Sequence, residues 1–194
     1  MLRNIVLEGK FVRLEEISPK YFSKIIEWRN NPENNRFLNQ PFKLTMKLQK
    51  KWYEEKYLND LTQGLLVMID NKNNIPFGTI GWTDYDKQEK ICITGRLLVA
   101  NLLYRGSKQW LEAALLVNDY LYSVLKVNKI YAHVVVENIA SHKWHKKWGF
   151  KENVYIYRFP NETFVNYMKQ KEYFRTYEQY KIVRKKIIKI LGIL

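Results

Sequence analysis

The sequence predicts a mixed α/β fold in which helices pack against one mixed sheet. Its 194 residues suit a single domain with a substantial core. The apolar pattern has a helical period in the first third of the chain, a strand period from about residue 64, and a helical period again from Ser107. A strand, a long helix and another strand then follow in mid-chain. No repeat or flexible linker divides the sequence, so these elements are expected to share one core.

The N-terminal region predicts one strand and two helices. Residues 10–16 alternate apolar and polar side chains, as a half-buried strand does. Ser18 and Pro19 provide an N-cap and a favoured first residue for a helix, which the Asn-Asn-Pro run at 30–32 ends. Thr45 caps the second helix. The apolar faces consist of Tyr21, Phe22, Ile25, Ile26 and Trp28 in the first helix, and of Leu48, Trp52, Tyr53 and Tyr57 in the second.

The remaining elements complete the order β-α-α-β-β-β-α-β-α-β-β. Three apolar segments between residues 65 and 100 predict antiparallel strands, in which Gly78, Gly81 and Gly95 indicate bulges or close backbone approach. A long helix begins at Ser107, and the apolar run at 129–136 predicts a strand in the sheet centre. A short helix at 141–148, a strand at 150–159, a turn and a returning strand through 165–171 follow. We expect this domain to span residues 1–175.

Composition restricts the chemistry of the protein. The formal net charge of +14 would attract nucleic acid, an anionic membrane or a phosphorylated ligand. The lysines are scattered along the chain, so we interpret most of the charge as compositional bias and do not expect a nucleic-acid partner. The single cysteine, Cys92, excludes a disulfide framework and a cysteine metal site. Charges interrupt the N-terminus, and no segment approaches the roughly 20 apolar residues of a membrane span, so a cytoplasmic location is expected.

The segment before the long helix is a candidate phosphate site. It reads NLLYRGSKQWLEA, and Gly106 stands directly before the helix cap. A helix start offers free backbone N–H groups and a positive dipole end, both of which suit a pyrophosphate. Arg105 and Lys108 add cationic side chains. A single glycine before a capped helix is also a common plain turn, so this pattern alone leaves both interpretations open.

All three histidines lie between residues 133 and 145. Histidine titrates near neutral pH and therefore suits proton transfer. His133 lies inside the central strand, where it is either a hydrogen-bonded core residue or a catalytic group. His145 follows Ser141 by about one helical turn, and His142 is interpreted as an exposed helical residue. No metal site is expected, because carboxylates and cysteines that could join His142 and His145 are missing nearby.

Together the two segments resemble the cofactor half of the GNAT N-acetyltransferases. The phosphate loop of that family has Gln or Arg, two residues, Gly, one residue, and Gly or Ala. Here that place is taken by Arg105, Gly106, Ser107, Lys108, Gln109 and Trp110. The downstream family pattern is matched in register by Asn138, Ser141, His145, Gly149 and Phe150. The resemblance covers nearly the whole chain except the C-terminal tail, and it implies a GNAT fold with acetyl-CoA as co-substrate and no metal.

The resemblance also implies roles for individual residues. Backbone N–H groups of the loop, at Arg105, Gly106, Ser107, Lys108 and Gln109, would hold the CoA pyrophosphate. The two central strands would separate after Leu98, which leaves main-chain groups near Leu98 and Val99 for the pantetheine arm. Asn138 and Ser141 would contact that arm from the other side. His145 would protonate the leaving thiolate where the family usually has a tyrosine, and His133 lies where some members place a glutamate as general base.

Two residues depart from the family loop. Lys108 replaces its central glycine, and Trp110 replaces its closing small residue. The bulk of Trp110 is expected to crowd the pyrophosphate. Two interpretations follow: a working enzyme with a reshaped loop, or a degenerate member that binds something else.

The acceptor side resembles a branch of the family that includes ribosomal-protein N-terminal, polyamine and nucleotide-amino-sugar acetyltransferases. Trp28, Arg29 and Asn30 would end the first helix beside the acceptor, and Gly95-Arg96 matches a Gly-Arg of the sugar-nucleotide members. Arg29 is equally explained as a charge that complements the helix dipole.

The charge of the chain ranks the candidate acceptors. A polyamine requires an acidic cleft, so this basic chain places polyamines last. The diphosphate of a nucleotide-linked amino sugar suits arginine and lysine, and its base suits stacking on Trp28 or Trp82. We rank this small-molecule amine first and a peptide amine second.

The tail at 176–194 is basic and amphipathic. Val183, Ile187, Ile190 and Leu194 share one helical face, with basic residues around it. Such a helix lies on an anionic membrane, or it packs on its own domain or on a second copy in a homodimer, and we favour packing. A non-enzymatic GNAT module that binds a membrane or nucleic acid is the competing function.

Overall fold

The computed structural model describes residues 4–38, 40, 42–158 and 168–193 as one eight-stranded sheet with helices on both faces. The strands are β1 (Val6–Glu8), β2 (Val12–Glu16), β3 (Gly64–Asp70), β4 (Ile75–Asp86), β5 (Ile91–Val99), β6 (Lys129–Val135), β7 (Lys151–Arg158) and β8 (Met168–Thr176). The helices are α1 (Phe22–Asn30), α2 (Pro32–Asn35), α3 (Met46–Trp52), α4 (Lys108–Asp119), α5 (Ile139–Lys147) and α6 (Tyr177–Leu191). The predicted fold class is confirmed.

The structure adds β1 and α2 to the predicted order. Strand β1 pairs with β2. It is three residues long, which is too short for a periodic pattern in the sequence. Helix α2 is one turn that begins at Pro32, and the side chain of Asn31 caps it by accepting from the Glu33 N–H. The Asn-Asn-Pro run at 30–32, which was predicted to end α1, therefore also begins α2. The predicted turn at 160–162 and the first residues of the strand predicted at 165–171 lie outside the described residues.

The order of strands in the sheet is β1-β2-β3-β4-β5-β6-β8-β7, and only β5 and β6 are parallel neighbours. Helices α1 and α3 cover one face, where apolar residues of α1 and Trp52 at the end of α3 pack with Leu65, Val67 and Leu98. Leu48, which was predicted for the apolar face of the second helix, is 41% exposed. Helices α4, α5 and α6 cover the other face, over a larger cluster that includes Cys92 and Trp82. The sheet therefore lies between two separate apolar layers.

Strands β5 and β6 pair only at their beginnings. The three registered pairs are Ile91 with Lys129, Cys92 with Ile130, and Ile93 with Tyr131, although both strands continue beyond them. The predicted separation of the central strands is confirmed, and it begins after Ile93 instead of after Leu98.

A bulge in β5 lies beside this opening. Thr79 pairs with Leu98 and Gly81 pairs with Gly95, so β5 carries one more residue than β4 between these pairs. Within the bulge Arg96 has a φ of 52°, and its carbonyl accepts from the Thr79 hydroxyl at 2.9 Å. A Cβ at Gly78 would collide with the Leu98 carbonyl oxygen, which explains a glycine at this position.

Helix α6 packs on its own domain. Its buried residues, Tyr180, Val183, Ile187 and Leu191, belong to the larger apolar cluster. The predicted face was partly wrong, because Ile190 is 58% exposed and Leu191 takes its place. Among the helices described here, none combines the length and the apolar character needed to cross a membrane.

Candidate active site

The opening between β5 and β6 is flanked by the two segments singled out in the sequence. Beyond Ile93, no strand in the described part of the chain pairs with the β6-facing edge of β5. On its other edge β5 is held by β4, with Gly78 opposite Val99 and Thr79 opposite Leu98. The side chains of Leu98 and Val99 are buried, so this strand offers its main chain to the opening.

The loop at 105–108 has the features that a pyrophosphate needs. The Ser107 hydroxyl caps α4 by accepting from the Trp110 N–H at 3.2 Å. Gly106 has a φ of +76°, and a Cβ built there would meet nothing within 4 Å, so the space beside it is open. The side chains of Arg105 and Lys108 are exposed, and the first N–H groups of α4 have no partner within the helix. These donors and charges fit a diphosphate.

Trp110 does not crowd this loop. Its ring stacks on Trp144 of α5, with centroids 4.1 Å apart and planes at 11°. The expected crowding is therefore wrong, because the side chain bridges the two helices that follow the separated strands. The side chain of Gln109 also points away from solvent, since its amide donates to Asp70 at 3.3 Å.

Asn138 and Ser141 shape the start of α5. The Asn138 side chain caps the helix by accepting from the Ser141 N–H at 3.1 Å. The Ser141 carbonyl and hydroxyl lie 2.8 and 3.3 Å from Nδ1 of His145. Their predicted contacts with the pantetheine arm stay predictions, and within the protein both residues position His145.

His145 is a neutral imidazole at pH 7. A carbonyl oxygen only accepts, so Nδ1 carries the proton that binds Ser141 and Nε2 is the unprotonated nitrogen. Burial beside Phe150 lowers the pKa of His145 to about 4, and the charge of Arg175 adds to this effect. A ring in this state accepts a proton more readily than it donates one. Its predicted role as general acid requires the charged form.

The lowered pKa of His145 predicts a loss of stability in acid. The folded state binds this proton only near pH 4, whereas the unfolded chain binds it near pH 6.5. The stabilisation is therefore complete above pH 6.5 and is lost as the pH falls towards 4. Between pH 7 and pH 4 the free energy of unfolding of the wild type should fall by roughly 2 kcal/mol more than that of His145→Phe, by urea titration. Parallel pH curves for the two proteins would contradict this.

His133 forms a pair with a glutamate that the sequence did not indicate. Its Nε2 lies 2.8 Å from a carboxylate oxygen of Glu172, the residue opposite it on β8. The other oxygen of Glu172 accepts from Asn153 at 2.7 Å. A carboxylate holds the proton on Nε2, which makes Nδ1 the basic nitrogen of the ring. No local pattern indicates Glu172, because the register between β6 and β8 is not visible in the sequence of either strand.

His142 is a structural residue. It was expected to be exposed, but its Nε2 donates to the Val136 carbonyl at 3.1 Å, and its Nδ1 accepts from the Tyr173 hydroxyl at 2.7 Å. This prediction was wrong because α5 lies against β8, where Tyr173 is fully buried.

Some of the residues predicted to bind the acceptor are occupied within the fold, and others remain accessible to a ligand. Trp28 is buried in the apolar layer under α1, and Trp82 is 2% exposed on the opposite face of the sheet, against Tyr120. Neither ring is available to stack on a ligand, so that prediction was wrong. The Asn30 side chain is bonded at both ends to the backbone of Leu44, at 2.8 Å each, and holds the loop after α1 in place.

Arg29 and Arg96 remain as ligand-binding candidates. The Nε of Arg29 donates to Gln40 at 2.6 Å, while Arg96 donates to Gln63 and lies 5.6 Å from the Trp52 ring centroid. Both are half-buried, and burial lowers the pKa of each guanidinium; the positive charge of Arg29 further lowers that of Arg96.

No carboxylate compensates these two charges at close range. Within the described residues, neither arginine has an ion-pair partner within 4 Å. The carboxylates of Asp60 and Asp84 act on Arg96 only from farther away, and Asp60 does so partly through Gln63, which donates to it at 2.6 Å. A half-buried pair of positive charges without a nearby carboxylate is suited to bind an anion.

Solved structures of acetyltransferases share this fold. A GCN5-related N-acetyltransferase from Brucella melitensis is 14% identical, with a TM-score of 0.80 over 98% of this chain and 86% of that one. The nucleotide-linked sugar GNAT FdhC is 20% identical, with 0.74 over 98% and 100%. Spermidine N-acetyltransferase from Vibrio cholerae, solved with CoA and spermine, is 18% identical, with 0.72 over 89% and 99%. These identities establish the fold alone.

The family is established by the sequence. No protein of curated function matches the chain. The family model described as the acetyltransferase (GNAT) domain matches residues 12–151, which is most of the chain. The matched region includes the separated strands, the loop before α4 and helix α5. This protein is therefore an N-acetyltransferase of the GNAT family.

Proposed function

We propose that this enzyme acetylates an amine whose carrier is negatively charged, and first of all the amino group of a nucleotide-linked amino sugar. The observation that carries the proposal is the pair of half-buried guanidiniums at Arg29 and Arg96, which has no carboxylate at close range in the described residues. The diphosphate of a nucleotide sugar supplies two adjacent negative groups, which arginine binds in bidentate geometry.

The same charges rank the other acceptors. A polyamine would bring further positive charge to two arginines that already repel each other, so it is placed last. A peptide amine is the second candidate, because its carrier needs no particular charge. The spermidine enzyme and the sugar-nucleotide GNAT share this fold to a similar degree, so the fold does not distinguish the two acceptors. The charges of the site support the sugar nucleotide.

GNAT acetyltransferases use acetyl-CoA, which supplies a thioester from which the acetyl group passes to the amine. The Gly106 N–H and the first turn of α4 would hold its pyrophosphate, because the N–H groups of Arg105 and Ser107 already donate to the Leu102 and Tyr104 carbonyls. The side chains of Arg105 and Lys108 would add positive charge. The edge of β5 that is not paired with β6, near Leu98 and Val99, would bind the pantetheine arm.

His133 and Glu172 are the proposed base. The acceptor amine must lose a proton to attack, and the imidazole of His133 is proposed to accept it while Glu172 stabilises the resulting imidazolium. Because Nδ1 of His133 is buried, this role requires the surrounding side chains to move when the acceptor binds. His145 is the group on α5 proposed to return a proton to the leaving sulfur. Because its pKa is about 4, the ring has no proton on Nε2 at pH 7, so it would pass on the proton that the attacking nitrogen loses as the amide forms. The negative charge that develops on the sulfur would favour this transfer.

A panel of acceptors tests the proposal. Thiol release from acetyl-CoA is measured with UDP- and dTDP-linked amino sugars, the matching free amino sugars, peptides with free N-termini, and spermidine. We expect the highest kcat/KM with a nucleotide-linked sugar and a large loss when the nucleotide diphosphate is removed. Equal rates for free and nucleotide-linked sugars, or a preference for spermidine, would contradict the proposed acceptor. In the same assay His145→Phe should lower kcat far more than CoA affinity.

We also propose that α6 contacts an anionic membrane, in an enzyme that is cytoplasmic; a homodimer stays a prediction. The outward face of α6 alternates lysine with exposed isoleucine. Its residues are Lys181, Ile182, Lys185, Lys186, Lys189 and Ile190. Lysines surrounding exposed apolar groups are typical of helices that lie in the membrane interface.

Charge reversal tests this contact better than truncation, because removal of α6 would open the core. Pelleting with phosphatidylglycerol vesicles should fall sharply in Lys185→Glu/Lys189→Glu. The control Lys72→Glu/Lys87→Glu changes the net charge equally at exposed turns elsewhere and should pellet like the wild type. Equal pelleting of the two double variants would mean that the net charge, and not α6, controls binding.

A further inference from the structure

A buried carboxylate at the end of β3 lies beneath the phosphate loop. Asp70 is 2% exposed and accepts hydrogen bonds from the Tyr104 hydroxyl at 3.0 Å and from the Gln109 amide at 3.3 Å. It also accepts from the Asn73 amide at 2.8 Å and from the Lys72 N–H at 3.2 Å. Burial acts to raise the pKa of Asp70, but these hydrogen bonds outweigh it and hold the pKa below its ordinary value.

Two of these donors flank the loop. Tyr104 precedes residues 105–108 and Gln109 follows them, so both ends of the loop meet at one carboxylate. The Tyr104 ring is itself fixed by stacking on Phe77, with centroids 4.2 Å apart. The backbone carbonyl of Tyr104 accepts from the Ser107 N–H at 3.1 Å, and this bond closes the turn around Gly106.

Gly106 lies at the exposed tip of this loop, directly after Arg105, whose N–H donates to the Leu102 carbonyl at 3.0 Å. Arg105 and Gly106 are exposed, and Gly106 has open space beside its Cα. A glycine at positive φ in an exposed turn has many accessible conformations, and a loop that must be ordered by its ligand binds that ligand more weakly. The positions of the N–H groups therefore depend on how firmly the ends of the loop are fixed.

We propose that Asp70 is a positioning residue for coenzyme binding, which fixes the loop at 105–108 through Tyr104 and Gln109 so that its N–H groups are arranged for the CoA pyrophosphate. The proposal rests on the use of CoA by this enzyme. Asp70 would affect only the part of the ligand that the loop contacts, which is the pyrophosphate. A loosened loop should weaken binding of CoA and leave binding of pantetheine unchanged, because pantetheine is the same arm without the pyrophosphate.

The test measures the dissociation constants of CoA and pantetheine by calorimetry or NMR titration. The variant Tyr104→Phe/Gln109→Leu removes both links but keeps the ring stack on Phe77. We expect its dissociation constant for CoA to rise roughly tenfold, with that for pantetheine unchanged. Asn71→Ala is the matched control, because it removes a hydrogen bond of the same turn, from the Asn71 amide to the Gly9 carbonyl, and it should bind CoA like the wild type. Asp70→Asn should follow the double variant.

Tyr104→Phe alone, expected to weaken CoA binding about threefold, keeps the test readable if the double variant does not fold. The proposal is overturned if the double variant binds CoA as the wild type does, if pantetheine binding weakens equally, or if Asn71→Ala shows the same loss. A wild type that binds neither ligand would contradict the use of CoA, and so the proposed function as well. Normal wild-type binding with unaffected variants would overturn only the role of Asp70.

Discussion

Replacing Arg96 with glutamine is expected to lower kcat/KM for a nucleotide-linked amino sugar by roughly 10- to 100-fold. A hydrogen bond from a guanidinium to a phosphate contributes about 1.5 to 3 kcal/mol, and glutamine keeps the polarity of the site but not the charge. Arg96 lies in the β5 bulge beside the opening, where its half-buried guanidinium donates to Gln63 and lies near the Trp52 ring. The loss should appear mainly in KM if the contact is made equally in the bound and transition states.

Two comparisons make this prediction specific. Arg184→Gln removes an equal charge from α6, where Arg184 is paired with Asp119, and should leave kcat/KM unchanged. The activity of the Arg96 variant towards an amine on an uncharged carrier should fall much less than its activity towards the sugar nucleotide. Equal losses for both acceptors would indicate a structural role for Arg96. The double variant with Arg29→Gln should lose less than the product of the two single effects, because both arginines would serve one ligand.

Replacing Arg175 with alanine should lower the free energy of unfolding by about 3 to 5 kcal/mol. Arg175 is fully buried, and its guanidinium lies among the rings of Phe150 and Tyr180, at 4.4 and 4.6 Å. It donates to the Trp148 carbonyl at 2.8 Å and to Asn118. Removal of the side chain would leave a cavity and two buried acceptors without a donor, at the junction of α4, α5 and β8.

Arg175→Met separates the two parts of this effect. Methionine restores most of the packing volume but no donors, so its destabilisation should be clearly smaller than that of alanine. Urea unfolding at pH 7 measures both variants. If methionine were as destabilising as alanine, the hydrogen bonds and not the volume would explain the role of Arg175. If neither variant lost stability, the buried guanidinium would not contribute to the fold.

The cofactor half of the site was accessible from the sequence because it is local. The loop at 105–108 and the start of α5 are continuous segments, and Ser107, Thr45 and Asn138 each cap a helix through their own side chains. Helix caps and helical periods depend on neighbours in the chain, which the sequence displays directly. The fold class followed from the same local signals.

The acceptor half was less accessible because it depends on contacts across the sheet. Cys92 and Leu98 are an even number of residues apart on β5, so a regular strand would place them on one face. They lie on opposite faces, because the extra residue near Arg96 reverses the alternation. Gly95 indicated irregularity, but not which residue would bulge. For the same reason the sequence predicted the wrong face for Trp82 and did not indicate Glu172 or Asp70, because sheet geometry is not visible in the sequence.

The unpaired edge of β5 bears on how such an enzyme tolerates mutation. A ligand that hydrogen-bonds only to peptide groups is insensitive to the side chains of the strand, provided that the bulge and the close approach of Leu98 to Gly78 are kept. Apart from Arg96, which lies in the bulge, the side chains of β5 are then constrained mainly by the apolar layers on the two faces of the sheet. In the proposed complex the path of the β5 backbone recognises the coenzyme arm, and packing determines which side chains the strand carries.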